Sequence, residues 1–84
     1  MIKEKIGDRV KELRILKLYL NQEEFATILG WDKAYLSRVE SGKQNITIDN
    51  LVIICSSLGI TLKDFFEPFN TIINIQGESN NESK

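Results

Sequence analysis

Four times between residues 21 and 68 a residue suited to capping a helix opens a segment, and a glycine or a proline closes it a few residues later. Asn21 is followed by Gly30, Asp32 by Gly42, Thr47 by Gly59 and Thr61 by Pro68. Short polar side chains accept hydrogen bonds from the free N–H groups of a first helical turn, glycine ends helices in the left-handed conformation, and proline cannot continue one. This punctuation leaves room only for short helices. Asn21 has Glu24 three residues on, and Thr61 has Asp64, the spacing of a capping box in which side chains and backbone satisfy each other.

The apolar spacing agrees. Ile6, Val10 and Leu13 recur at helical intervals among Lys, Arg and Glu, predicting an amphipathic first helix over about residues 2 to 17 with a poorly marked end. The second helix carries Phe25, Ala26 and Leu29, the third spans about Lys33 to Glu40, and the fourth bears Ile48, Leu51, Ile54, Cys55 and Leu58. A fifth runs through Leu62, Phe65 and Phe66. The expected fold class is all-α, a compact bundle of five short helices. With 84 residues, 42% of them hydrophobic, the chain has core enough for one domain, expected over residues 1–69. The remainder, NTIINIQGESNNESK, has no apolar residue after Ile75 and is expected to form a tail, flexible after about residue 76.

Several function classes drop out on composition. The N-terminus is charged within three residues, and no segment reaches the roughly 18 consecutive apolar residues that cross a bilayer, so a cytoplasmic location with no membrane partner is expected. There is no histidine, and Cys55 is the single cysteine, so neither an internal disulfide nor the usual zinc sets of Cys and His can form. Within LVIICSSLGI, Cys55 reads as a small buried hydrophobe. No Gly-rich phosphate loop, GxSxG elbow or paired-carboxylate motif appears. No catalytic residue, metal or cofactor is therefore assigned, and an enzyme is not expected.

Net charge is −1, but the charges are unevenly placed. Residues 1–44 hold nine Lys/Arg against seven Asp/Glu, and residues 45–84 hold two against five. The third helix concentrates the contrast. At 100° per residue from Lys33, Tyr35, Leu36 and Val39 fall between about 200° and 300°, while Lys33, Ala34, Ser37, Arg38 and Ser41 fall between about 0° and 140°. One face is apolar and the other mixes long cations with small residues. That second face has two readings: ordinary solvated surface, or a surface made to enter the DNA major groove. The groove is about 12 Å wide, accepts a helix, and offers guanine O6 and N7 to Arg or Lys donors.

The neighbouring residues bear on that choice. Gln22 is followed by Glu-Glu-Phe-Ala, Gly30 lies in a turn before Trp31, Leu36 and Val39 point inward, and Glu40 precedes Ser-Gly. Within LNQEEFATILGWDKAYLSRVESGKQNITIDNLVIICSSLG these features resemble the helix-turn-helix family of phage lambda repressor, Cro and their small bacterial relatives, with helices 2 and 3 as the motif. DKAYLS and NITI are similar to strings in one branch, the controller proteins of restriction-modification systems. The resemblance implies a homodimer, joined through its C-terminal helices, that binds double-stranded DNA at a two-fold symmetric operator and regulates transcription, with RNA polymerase as a candidate partner. Rival readings are a phage-type repressor or antitoxin of the same fold, and a protein-interaction module that has lost DNA binding.

Residue by residue, the resemblance places Lys33, Ala34, Ser37 and Arg38 at base-facing positions. Gln22 looks like the family's phosphate-contacting glutamine, with Asn21 beside it, and Tyr35, Ser41, Lys43, Gln44 and Asn45 are set for phosphates or a groove edge. Arg14 and Glu40 resemble a structural ion pair tying helix 1 to helix 3. The chain departs from the family pattern at RILKLYLNQ, which is longer than that pattern leads one to expect and has Leu18-Tyr19 where relatives often place glycine. Phe25 and Trp31 are expected as core plugs. Leu62, Phe65, Phe66 and Phe69 are more apolar surface than one short helix readily hides, which predicts a dimer interface there.

Overall fold

A computed structural model describes residues 2–69, so the expected domain boundary and the tail at 70–84 lie outside the described residues. Five α-helices follow one another: α1 (Ile2–Leu13), α2 (Gln22–Leu29), α3 (Lys33–Glu40), α4 (Ile48–Leu58) and α5 (Leu62–Phe66). A 3-10 turn, Glu67–Phe69, follows α5, and no strand occurs among the described residues.

The helix starts follow the capping chemistry with one exception. Asn21 and Glu24 close a full capping box at α2, Thr61 and Asp64 close another at α5, and the Thr47 hydroxyl accepts from the Asn50 N–H at α4. In the α5 box, hydrogen bonds from the Thr61 backbone and hydroxyl hold the Asp64 carboxyl below its usual range. Asp32 differs. Its backbone is extended, as an N-cap requires, and its carbonyl accepts the first helical bond from Leu36, but its side chain makes no capping hydrogen bond.

The first helix ends in a way the apolar spacing did not foresee. After Leu13 the chain continues helically but widens into a π-helical turn, Arg14–Leu18, then stops at Tyr19, which has φ 56°. A π turn bonds i to i+5 and so winds more chain into the same axial length. Tyr19 takes the left-handed conformation that glycine would adopt more cheaply, and it is the only non-glycine residue with positive φ among the described residues.

The core is assembled from every helix. Val10, Leu13, Phe25, Ala26, Leu36, Leu51, Ile54, Cys55, Leu58 and Phe65 form one buried cluster. Burial, and secondarily the charge of Asp64, pushes the Cys55 thiol up, which fits the expected inert hydrophobe. Phe25 is fully enclosed, whereas Trp31 is only partly buried and packs on the rim of the core, its ring edge-on to Tyr35 at 5.1 Å. Trp31 is therefore a rim residue rather than the enclosed core plug expected of it. Arg9 ties α1 to the far end of the bundle by donating to the carbonyls of Phe65 (2.8 Å) and Asp64 (2.9 Å).

Helix α1 crosses the end of α3 at backbone contact. A β-carbon added at Gly7 would lie 2.7 Å from the Glu40 carbonyl oxygen, and one added at Gly42 would lie 2.9 Å from the Glu4 Cα. Gly7 sits inside a helix, where alanine would ordinarily gain up to about 1 kcal/mol. Here the neighbouring atoms are backbone and cannot turn aside, so Gly7→Ala is expected to lower stability by about 1–3 kcal/mol, the cost of overpacking. Urea denaturation measures this, and a stabilised variant would contradict the close approach.

Candidate nucleic-acid interface

Helix α3 is short, and one buried cluster fixes its position. The Arg14 guanidinium, carried by the π turn, donates from Nε to Glu40 Oε2 and from Nη2 to Glu40 Oε1, both at 2.8 Å. Its Nη1 donates to the Leu20 carbonyl at 2.8 Å. Gln22, the first residue of α2, donates from Nε2 to Glu40 Oε1 at 2.9 Å. Arg14 and Glu40 are 6% and 5% exposed, so the pair is shielded from water. Donating to the Glu40 carboxylate raises the guanidinium pKa above its already high value, against the opposing effect of burial, and Arg14 is charged at any ordinary pH. The expected pairing of Arg14 with Glu40 is thus present, and it also recruits the start of α2.

The two faces of α3 divide as its spacing predicts. Leu36 and Val39 are buried, while Lys33, Ala34 and Arg38 are exposed and Ser37 is half-buried. Lys33 lines a shallow polar recess together with Arg14, Asn21, Gln22 and Glu23, so of the expected site residues Asn21, Gln22 and Lys33 share that surface. Asn21 spends its side-chain oxygen on the Glu24 N–H, and its own N–H goes to the Glu24 carboxylate. Ser41 donates its hydroxyl to the Arg38 carbonyl, and Lys43, Gln44 and Asn45 follow in the loop after α3, with Lys43 and Asn45 exposed.

Arg38 is supported on both sides. Its guanidinium carbon lies 5.9 Å from the Tyr35 ring centroid, and its Nε donates to Gln44 Oε1 at 3.3 Å. Tyr35 is itself held, its ring by Trp31 and its hydroxyl by Asn50 Nδ2 at 3.1 Å. Asn50 did not figure among the residues expected at the site. The available signal was small: it occupies the third position of α4, where Glu or Gln would complete a capping box.

The residues expected to join two copies separate into two groups. Phe65 (0% exposed) and Phe69 (4%) are enclosed within the chain's own core, Phe66 is partly buried, and Leu62 remains 38% exposed. The three phenylalanine rings pack on one another, Phe65 against Phe66 at 5.1 Å and Phe66 against Phe69 at 5.2 Å, which is how one short helix hides so much aromatic surface. Exposed apolar side chains lie on several elements, among them Ile48, Val52 and Ile53 along α4, the helix that precedes α5.

Breaking the buried pair on one side leaves an uncompensated charge, so Glu40→Ala is expected to cost about 3–5 kcal/mol in chemical denaturation. An Arg14→Met, Glu40→Leu double variant should recover much of that loss, because neither charge is then stranded. Equal losses in the single and double variants would count against the pair as the organising contact.

A model of the helix-turn-helix family matches residues 10–65. The control protein C.MunI of a Mycoplasma species is 43% identical over 65 residues, covering 77% of this chain and 88% of that protein. The control protein C.BamHI of Bacillus amyloliquefaciens is 33% identical over 70 residues, covering 83% and 85%. Among solved structures, the restriction-modification controller protein C.AhdI from Aeromonas hydrophila superposes with a TM-score of 0.71 at 34% identity, over 77% of this chain and 97% of that one. On its fold, its motif and these similarities, the chain belongs to the helix-turn-helix family and, within it, to the controller proteins of restriction-modification systems.

Proposed function

We propose that this DNA-binding regulator reads a two-fold symmetric operator as a homodimer, each copy laying α3 in a major groove, with the two reading helices about 34 Å apart. The observation that carries the reading is the support of Arg38. With its Nε on Gln44 and its plane over Tyr35, the donors left are the two terminal nitrogens, the pair that meets guanine O6 and N7. Lys33 is the second base reader, Ala34 offers apolar contact, and Ser37 is small enough to let the helix approach. Asn21, Gln22, Tyr35, Ser41, Lys43, Gln44 and Asn45 contact phosphates or the groove edge. Gln22 has its amide hydrogens partly engaged by Glu40, so backbone N–H groups at the start of α2 share that work.

An overall charge of −1 does not oppose this, since affinity depends on cations close to the phosphates and an acidic rear surface faces solvent. Such a regulator acts in the cytoplasm beside RNA polymerase, and it belongs to a family of regulators rather than enzymes. The second copy docks on the outer side of α4 and the start of α5, where Ile48, Val52, Ile53 and Leu62 are exposed, with Phe66 at the edge.

Two measurements test this. A Lys33→Ala, Arg38→Ala double variant should lose at least about 2 kcal/mol in a gel shift on DNA from upstream of its own gene, since each good base contact is worth roughly 1–3 kcal/mol. Unaltered binding would sink the site assignment. Val52→Glu should sediment as a monomer at concentrations where the parent chain is dimeric, and a dimeric variant would move the interface elsewhere.

A further inference from the structure

Three of the helices open with caps whose side chains accept from the third residue, and in two of them that third residue answers. Glu24 accepts from the Asn21 N–H at 2.9 Å, and Asp64 accepts from the Thr61 N–H at 3.2 Å. At α4 the Thr47 hydroxyl accepts from the Asn50 N–H at 3.1 Å, but the Asn50 side chain does not turn back to its cap. It crosses to α3 and donates from Nδ2 to Tyr35 Oη at 3.1 Å.

The direction of that hydrogen bond matters. A phenol oxygen that accepts from an amide keeps its own proton to give elsewhere. The same ring is fixed edge-on by Trp31 and lies beneath Arg38. We propose that Asn50 is a positioning residue for DNA recognition: by donating to Tyr35 Oη it directs the tyrosine proton toward a phosphate oxygen and steadies the ring that carries Arg38. This rests on the DNA-binding reading above, and it adds a residue outside α2 and α3.

Asn50→Asp is the informative change. It keeps the shape, and an acidic residue in the first turn of α4 is favoured by the helix dipole, so the fold is retained. An ionised carboxylate only accepts, so it draws the Tyr35 proton inward and away from the DNA. The probe is a duplex enriched from a random-sequence pool by the parent protein. Against it, Asn50→Asp and Tyr35→Phe are each expected to weaken binding about 10-fold, the scale of one hydrogen bond to a charged group. Their melting temperatures should stay close to the parent's. In a Tyr35→Phe background, Asn50→Asp should cost only about twofold more, the screened effect of the added charge.

The proposal is overturned if Asn50→Asp binds like the parent, if its full loss persists in the Tyr35→Phe background, or if the loss follows a fall in melting temperature. Lys33→Ala, Arg38→Ala, measured alongside, separates the two levels. If that variant also binds like the parent, or if no duplex is enriched, the reading of the site itself fails.

Discussion

A buried arginine and a buried glutamate hold this small domain in its working shape. Arg14 leaves the wide turn at the end of α1, Glu40 stands at the end of α3, and their paired hydrogen bonds fix the angle between those elements. Burying two charges is expensive, and the Coulombic gain alone seldom offsets it. Here the remaining hydrogen-bonding capacity is also used, by the Leu20 carbonyl and the Gln22 amide, so the cluster spans the linker and the first residue of α2 as well. A hydrophobic pair could fill the same space, but it would not specify the direction from which three chain segments must approach. The forked geometry of the guanidinium does.

That constraint matters because α3 cannot organise itself. Eight residues are too few for a stable isolated helix, and its Asp32 start lacks a side-chain cap. Its shape is imposed from beneath by Leu36 and Val39, from its C-terminal end by the close passage of α1 at Gly7, and from the side by Tyr35 and Asn50. The outer face, with Lys33, Ala34 and Arg38, stays exposed.

Much of this was legible in the order of the residues, for local reasons. Caps and stops act within one helical turn, so Asn21 with Glu24, Thr61 with Asp64, and Gly30 and Gly59 mark their helices without tertiary help. Helical spacing likewise sorted α3 into a buried and an exposed side. What escaped depended on contacts distant in sequence. Nothing near Phe65 or Phe69 shows that the chain encloses both rings, and nothing near Asn50 shows that its amide reaches a tyrosine 15 residues earlier. Gly7 lies in an ordinary amphipathic pattern, and only the crossing with α3 shows why a side chain is excluded there. Arg14 and Glu40, 26 residues apart, could be paired by resemblance but not by spacing.

The wide turn at Arg14–Leu18 does more than end a helix. It closes at Tyr19, which is 84% exposed, so the left-handed strain stays at one residue on the surface. Because Arg14 lies inside that turn, the winding of the corner and the seating of Glu40 at the end of α3 are set together. The corner works as a bracket: the turn that ends α1 also carries the guanidinium that holds the end of α3 and the start of α2 in one grip.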